Sequence, residues 1–584
     1  MRDDDFGVIS LARKATFVIR LSSAGIGHGA VKATAWKSHK LCCMHVGEEE
    51  FAWKGRRRMT LQQDATRWSW PWASHAGSGP QGLAWLALAL GPLFLAAWQL
   101  KPLYADNQNT KFLHALANTG SGFLREDWLA HTKDGLPLFT ALLEGVLRSV
   151  GPNGFYFAAA AAYVIFLFCA LLIYQRIAER AQVPPHGLAV FLGLIFTIAM
   201  LTDVQQIVLS GFSEQYILGG YFQSADFGVF LIAAVVLFER RRFSAAIACI
   251  PVAASMHPGY VAPGAVLIGI FLLYELTQAR AERPGARFVA LAASAIGFII
   301  LFSIAFFLKQ LFAATDPQTQ LEAHRILTAV RIPRHADPWH WFNQNVVLQF
   351  ALCLGAALLL PPGRLRFVIR IGLGVLAVLT LVAFLPGTET YRLVAPWRLS
   401  VVLVPLASIA LCAVAVVRMN DAGRFRPANL RRFVWGGLGA VLFCTAVGAA
   451  FTASKVLKPE PAYLGFVRAN LASGQQYLTP PGLREFRLSV GVPQYVTFKS
   501  HPYQDIEVLE WQRRLKVALE LYAGTDMDCD ALQRLVVEEA VTHLLMMSGN
   551  PAVSCGFASQ IFADGNIKIF SLGRTKLAET PARR

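Results

Sequence analysis

The sequence predicts an all-α polytopic membrane protein of about eleven transmembrane helices, followed by a small C-terminal α/β domain. Three observations carry this. Apolar runs approaching the roughly 20 residues a bilayer crossing needs recur from about residue 83 to about residue 452. Only 16% of the 584 residues are charged and 55% are hydrophobic, where a soluble globular chain carries roughly 25% charged residues. Beyond about residue 456 short strand and helix signals alternate, as in a small α/β layer.

The candidate spans are about 83–100, 153–175, 187–204, 225–239, 243–256, 259–275, 288–313, 344–360, 367–385, 399–417 and 433–452. Those at 225–239 and 243–256 are short for a crossing and are expected to be tilted, paired or partly re-entrant. A cytoplasmic N-terminus makes the loops alternate in charge. The inner loops then hold Arg176 and Arg180, the triplet Arg240, Arg241 and Arg242, then Arg280, Arg283 and Arg287, then Arg364, Arg366 and Arg370, and finally Arg418, Arg424, Arg426, Arg431 and Arg432. No Lys or Arg lies between Gln205 and Ser224 on the opposite side. This is the positive-inside pattern. It places the loop 101–152 and everything after about 453 outside. It also accounts for the net charge of +17, because most Arg residues sit in topology-setting loops, which argues against nucleic acid as a partner.

Residues 1–80 are basic, without periodicity and interrupted by Gly and Ser, as expected of a disordered cytoplasmic tail. Its apolar piece around Phe17 is too short for a signal-peptide core. Arg56, Arg57 and Arg58 precede Met59, an alternative start. Trp68, Trp70 and Trp72 suit an interfacial belt. After the first span comes the most informative stretch, 104–148. It is too polar to cross a bilayer, yet Leu138, Phe139, Leu142, Leu143, Val146 and Leu147 recur along one helix face. Its acids and amides, Asp106, Asn107, Asn109, Glu126, Asp127 and Asp134 among them, are expected on helices resting on the membrane surface.

Further outer segments follow. Asp203 to Asp226 form a polar patch. The turn MHPGY, 256–260, breaks a long apolar run at His257, and an ionisable group at that depth is a functional candidate beside its plain reading as a helix-breaking turn. The loop 314–343 supplies Arg325, Arg331, Arg334, His335 and His340. The two histidines match no usual metal-ligand spacing, and Pro338 argues against one helix face. The loop 386–398, PGTETYRLVAPWR, offers Arg392 and Arg398.

The segment 456–575 is expected to form the α/β domain, with strands near 476–478, 494–498 and 541–547, helices near 505–522 and 529–540, and a closing hairpin, before a tail at 576–584. No Gly-rich phosphate fingerprint marks its strand-to-helix turns. Of nine cysteines only Cys529 and Cys555 fall in this domain, on the oxidising side, which predicts a disulfide between them.

An acid just outside the first span, a large outer loop with horizontal helices, about eleven spans and an outer C-terminal domain together resemble the GT-C superfamily of membrane glycosyltransferases. The motif carrying the resemblance is YADNQNTKFLHALANTG. Asp106 matches the acid that opens the first outer loop in that family, and Asn107 stands where a second acid is common. The stretches DWL at Asp127, RIP at Arg331 and PWR at Arg398 are similar to those of uncharacterised bacterial membrane proteins grouped with it. The resemblance implies a bacterial inner-membrane enzyme with a periplasmic C-terminal domain, using a sugar on a polyprenyl phosphate or pyrophosphate. It implies that polyprenyl-phosphate donor and the membrane lipids as partners, with a divalent metal possible.

The residues suit that chemistry. An acceptor hydroxyl needs a base, and Asp106 and Asp127 are the candidates. The departing phosphate needs cations, and arginine pairs with its oxygens bidentately. Arg325, Arg331, Arg334, Arg392 and Arg398 lie on the outer side, with Asn109, Glu126 and His257 as further binding candidates. Each has a plainer reading. Asp106 and Asp127 could be helix caps, Asp134 a helix-start signal, and Arg398 an interfacial snorkel. Lys499 and His501 read as surface residues. Two other functions fit the composition: a transporter or flippase for a lipid-linked or anionic solute, and a non-catalytic envelope protein.

Overall fold

A computed structural model describes residues 79–278 and 284–573. The tail expected over 1–80, Met59 and the Trp68–Trp72 belt lie outside the described residues, apart from 79 and 80, as do Arg280, Arg283 and the tail 576–584.

The chain is mostly helical. Among the described residues seven helices are long and apolar enough to cross a membrane: Pro80–Ala97, Gly154–Arg180, Pro258–Thr277, Arg287–Leu311, Arg364–Ala383, Glu389–Asp421 and Asn429–Val456. Gly187–Met200 and Thr202–Val208 are a broken pair, bent by 106°. The remaining expected spans are shorter helices: Val229–Glu239, Phe243–Met256 and Gln344–Leu359. Every apolar run is therefore a helix, but four of the eleven are too short or too bent to match a simple straight crossing. The cause at 201 is legible: Leu201 has extended backbone (ψ 94°), which ends one helix and redirects the next.

Packing follows from small residues where helices meet. A Cβ on Gly437 would lie 2.2 Å from the Ala189 carbonyl oxygen, and one on Gly448 would lie 2.1 Å from that of Ala96. Those glycines let Asn429–Val456 press backbone to backbone on its neighbours. By contrast, Arg287–Leu311 leaves Phe288, Ile299 and Phe302 exposed, the pattern of a face that a bilayer covers.

The first large loop contains helices Gln108–Lys111, Leu113–Asn118 and Pro137–Ser149. Phe139 and Leu143 of the last are fully buried. Phe112, Phe139, Phe155 and Phe222 form an aromatic cluster beneath the loop, which fixes it as a floor.

The C-terminal region holds a four-stranded sheet: β1 (Tyr477–Leu478), β2 (His543–Met547), β3 (Ala558–Asp564) and β4 (Ile567–Leu572), in the order β1-β2-β4-β3. β1 pairs parallel with β2, and the other pairs are antiparallel. Residues 494–498 form a single bridge, Tyr477 to Gln494, rather than the expected strand. Helices Asp505–Ala523 and Cys529–Glu538 cover the sheet, and a disulfide joins Cys529 to Cys555. Ala323, Ile326 and Leu327, from the loop 314–343, are buried in the same apolar cluster as Val508, Trp511 and Leu544. The domain is thus docked on the loop 314–343 through a shared core, and it brings its own side chains to the polar face of the first loop.

Candidate active site

The site starts at the end of the first helix. Gln99, Tyr104 and Asp106 all have left-handed backbone (φ 61°, 66° and 47°). Such a conformation costs a non-glycine residue about 1–3 kcal/mol and persists only where the surroundings enforce it. Here they do. Tyr104 N–H donates to Gln108 Oε1 (2.6 Å), Asn109 Nδ2 donates to the Tyr104 carbonyl (2.5 Å), and Gln108 Nε2 donates to the Phe222 carbonyl (2.8 Å). The Lys101 N–H is tied to Gly220 O at 2.7 Å.

This turn presents the Asp106 carboxylate to cations rather than to a helix end. Lys101 Nζ lies 2.8 Å from Oδ2, and Arg484 Nη1, from the C-terminal domain, lies 3.4 Å from Oδ1. Burial alone would raise its pKa. Lys101, with Lys499 and Arg484, overcomes that and holds it below the usual carboxylate value. Asp106 is therefore ionised at neutral pH.

Two of the predicted arginines belong to the same electrostatic neighbourhood, through Lys499 and Lys111. Arg331 ends a π-helical turn, Ile326–Arg331. Its Nε and Nη2 donate to the Lys499 carbonyl (3.2 and 2.5 Å), and its guanidinium covers the Phe498 ring. Thr110, beside Asp106 on the floor, donates to the same carbonyl (3.2 Å). The Thr497–Ser500 turn carrying Lys499 is held by Trp511, whose Nε1 donates to the Thr497 carbonyl (3.0 Å). Arg398 donates from Nε to Gln215 Oε1 (2.6 Å). It rests on the MHPGY turn, where a Cβ on Gly259 would lie 1.8 Å from Arg398 Nη1. His257 shapes that turn by accepting the Gly259 N–H at its Nδ1 (3.1 Å).

Lysines missed by the sequence reading add to this group of charges. Lys111 donates to Ser224 Oγ (2.9 Å). Burial, with Arg398 nearby, pushes its pKa down to about 7. Burial and Arg331 push Lys499 to about 8, and burial pushes Arg331 to about 10. His335 Nδ1–H donates to the Ser213 carbonyl (2.6 Å), and burial with the surrounding cations keeps it neutral, near 4. Lys101, Lys111, Arg331, Arg398, Arg484 and Lys499 thus share one electrostatic neighbourhood with Asp106, Asp226 and Glu485. Basic side chains outnumber acidic ones in this neighbourhood, an excess that favours anions.

Other expected residues go elsewhere. Asp127 is a correction. Its carboxylate caps Leu129 N–H (2.8 Å), accepts Gln494 N–H (2.9 Å) and pairs with Arg487 Nε at 3.0 Å, closed off from solvent. It joins the first loop to the C-terminal domain and has no face left for a substrate. Glu126 accepts from Ser473 Oγ and Gly474 N–H at the domain surface. Arg325 is exposed beside Glu322, Arg334 is exposed, and Arg392 donates to the Ala383 carbonyl. Asn109 lies under the Asp106 turn as a support, with its Oδ1 buried and unpartnered. Among the described residues no group of three or more His, Cys, Asp or Glu is arranged to hold a metal ion.

Lys499, Arg484 and Lys111 carried no sequence signal of their own. Lys499 meets Thr110 across 389 positions of chain, and no local pattern encodes such a pairing.

Residues 459–518, which contribute Arg484 and Lys499, match a family described as a domain of unknown function (DUF6798). A search of curated proteins finds no relative. Among solved structures the chain is similar to the arabinosyltransferase EmbB from Mycobacterium smegmatis, at 14% identity and a TM-score of 0.34, over 88% of this chain and 47% of that one. The chain therefore spans about half the length of that structure, and at such identity the likeness says nothing about chemistry.

Proposed function

We propose that the chain is a membrane glycosyltransferase that moves a sugar from a polyprenyl-phosphate-linked donor to a hydroxyl acceptor on the outer face. The observation carrying this reading is the convergence of an ionised Asp106 with a cation-rich neighbourhood at one end of an apolar helix bundle. A transfer of this kind needs one base and strong anion binding, and no general acid, because phosphate leaves readily.

In this reading the acceptor oxygen attacks the anomeric carbon as the bond from that carbon to the phosphate oxygen breaks. The bonding electrons stay on the phosphate. The acceptor proton passes to Asp106, a step contributing roughly 10²–10⁴-fold. Displacement at one face inverts the anomeric centre. Arg331, Arg398, Lys111 and Lys499 take up the growing phosphate charge, the first three held in place beforehand by neutral partners. A bound phosphate also competes for Lys101 and Arg484, and so frees Asp106 and raises its basicity.

The test is turnover. Purified protein given labelled polyprenyl-phosphate and polyprenyl-diphosphate sugars is expected to transfer sugar, or slowly hydrolyse donor, and Asp106→Asn is expected to abolish both. Vectorial movement of intact donor across proteoliposomes without any covalent turnover would replace this reading with a flippase.

A further inference from the structure

The Ala357 carbonyl belongs to the last turn of helix Gln344–Leu359, where carbonyls have no intrahelical donor. Two arginines take that place. Arg366 Nε and Arg370 Nε both donate to it, each at 2.9 Å. They stand four positions apart, on one face of the first turns of helix Arg364–Ala383. One basic side chain is enough to satisfy a helix-end carbonyl. The second is surplus to capping, and like charges at that spacing destabilise a helix.

The pair also lacks a counter-charge. Arg364 beside it is paired with Glu275 at 2.8 Å, and Arg176 and Arg180 share Glu239. Among the described residues no carboxylate lies within salt-bridge distance of Arg366 or Arg370. Arg366 is half-buried and Arg370 exposed. Because each is anchored through Nε, the Nη edge of each fork remains for another acceptor.

Their depth is set by the helix they start. At its far end the Ala383 carbonyl accepts from Arg392, on the loop that carries Arg398. Its 20 residues rise about 30 Å, the thickness of a bilayer's hydrocarbon core. The arginine pair therefore lies at the membrane boundary opposite the candidate active site. Leu354 and Leu358, in the last turns of the helix that carries Ala357, are 51% and 60% exposed, as on a surface that acyl chains cover.

We propose that Arg366 and Arg370 form a seat for the phosphate of an anionic phospholipid whose acyl chain lies along Leu354 and Leu358. Arginine forks match phosphate oxygens in pairs. Two positive charges with no carboxylate between them favour a headgroup of net negative charge over a zwitterionic one, whose ammonium they repel. The seat is remote from Asp106 and does not depend on the glycosyltransferase reading.

The experiment is native mass spectrometry of the full chain released from detergent after incubation with phosphatidylglycerol or phosphatidylcholine at equal concentration. Phosphatidylglycerol adducts are expected to exceed phosphatidylcholine adducts at least about fivefold, roughly the effect of one basic residue at an anionic surface. Arg366→Gln combined with Arg370→Gln is expected to bring the two lipids level. Arg241→Gln combined with Arg242→Gln removes the same charge from an exposed turn and is expected to leave the preference within about twofold of wild type. Equal retention of the two lipids by the wild type would overturn the proposal. So would an equal loss of preference in both double variants, because that is the behaviour of diffuse charge and not of a seat. Thermal unfolding in detergent checks that each variant folds. If the Arg366 and Arg370 double variant does not, Arg370→Gln alone is expected to reduce the preference at least about twofold, and an unchanged preference would overturn the proposal.

Discussion

Asp127 and Arg487 form an ion pair 3.0 Å long that joins the first loop to the C-terminal domain, with side chains 0% and 3% exposed. Breaking such a pair strands a buried charge, at a cost of about 3–5 kcal/mol. Asp127→Ala is therefore expected to lower thermal stability sharply and to expose the junction to protease. Replacing both partners with apolar residues should cost less than either single change. Limited proteolysis and differential scanning calorimetry of the three variants check this; a harmless Asp127→Ala would contradict it.

The paired carboxylate at Asp106 should behave oppositely. Its ion pairs are about a third exposed, and pairs of that kind contribute roughly 0–1 kcal/mol. Asp106→Asn should unfold near the wild-type temperature while losing about 10²–10⁴-fold in turnover. Parallel unfolding and radiolabel-transfer measurements separate the two effects.

Anion binding should weaken with rising pH. Lys111 titrates at about 7 and Lys499 at about 8 in the free protein. Both are lowered from the ordinary lysine value, so their charge is nearly complete only below about pH 6 and is lost as pH rises through 7 and 8 toward about 9. A bound anion raises both values, so binding takes up protons in that window. Arginine stays charged to much higher pH. Lys499→Arg is expected to hold inorganic phosphate affinity to about one pH unit higher, measured by calorimetry from pH 6 to 9.

Gly259 makes a sharper test of Arg398 than removing the arginine. A methyl there would sit 1.8 Å from Nη1, so the guanidinium must move. Losing one charge-assisted hydrogen bond costs roughly 1.5–3 kcal/mol. Gly259→Ala is expected to raise the donor KM about tenfold or more, with kcat changed much less and the fold retained. Steady-state kinetics with a lipid-linked donor reads the split.

The Cys529–Cys555 bond closes a separation of 26 residues. Restricting the unfolded chain over such a loop contributes about 3 kcal/mol. Reduction, or Cys555→Ser, should lower the unfolding transition of the C-terminal region. An unchanged transition in reducing buffer would contradict this.

The sequence made much of the helical frame legible. Apolar length located each helix, and the helical stripe around Phe139 and Leu143 marked the buried face of Pro137–Ser149. It was less informative where short helices bend: nothing local distinguishes Thr202–Val208 from a continuation of Gly187–Met200 until the backbone turns at Leu201. Asp106 was legible because it opens the first loop. The plainer reading of Asp127 as a cap was visible in the sequence too, and the cap is what forms. Its pairing with Arg487 was not visible, and neither was the contribution of Lys499, since both depend on how a distant domain docks. Arg331 and Arg398 were expected from the loops they occupy, yet Arg325, Arg334 and Arg392 lie in the same two loops and turn away. Charge patterning singles out a loop; the direction of a side chain follows from packing.

The most direct measurement is a structure of the full chain with a non-hydrolysable polyprenyl-phosphate-linked sugar analogue. The account predicts phosphate density within hydrogen-bond reach of Arg398 or Lys499, with Asp106 facing the anomeric carbon across a gap wide enough for a hydroxyl. Density for the headgroup at another end of the bundle, or a phosphate that leaves both Arg398 and Lys499 untouched, would contradict it.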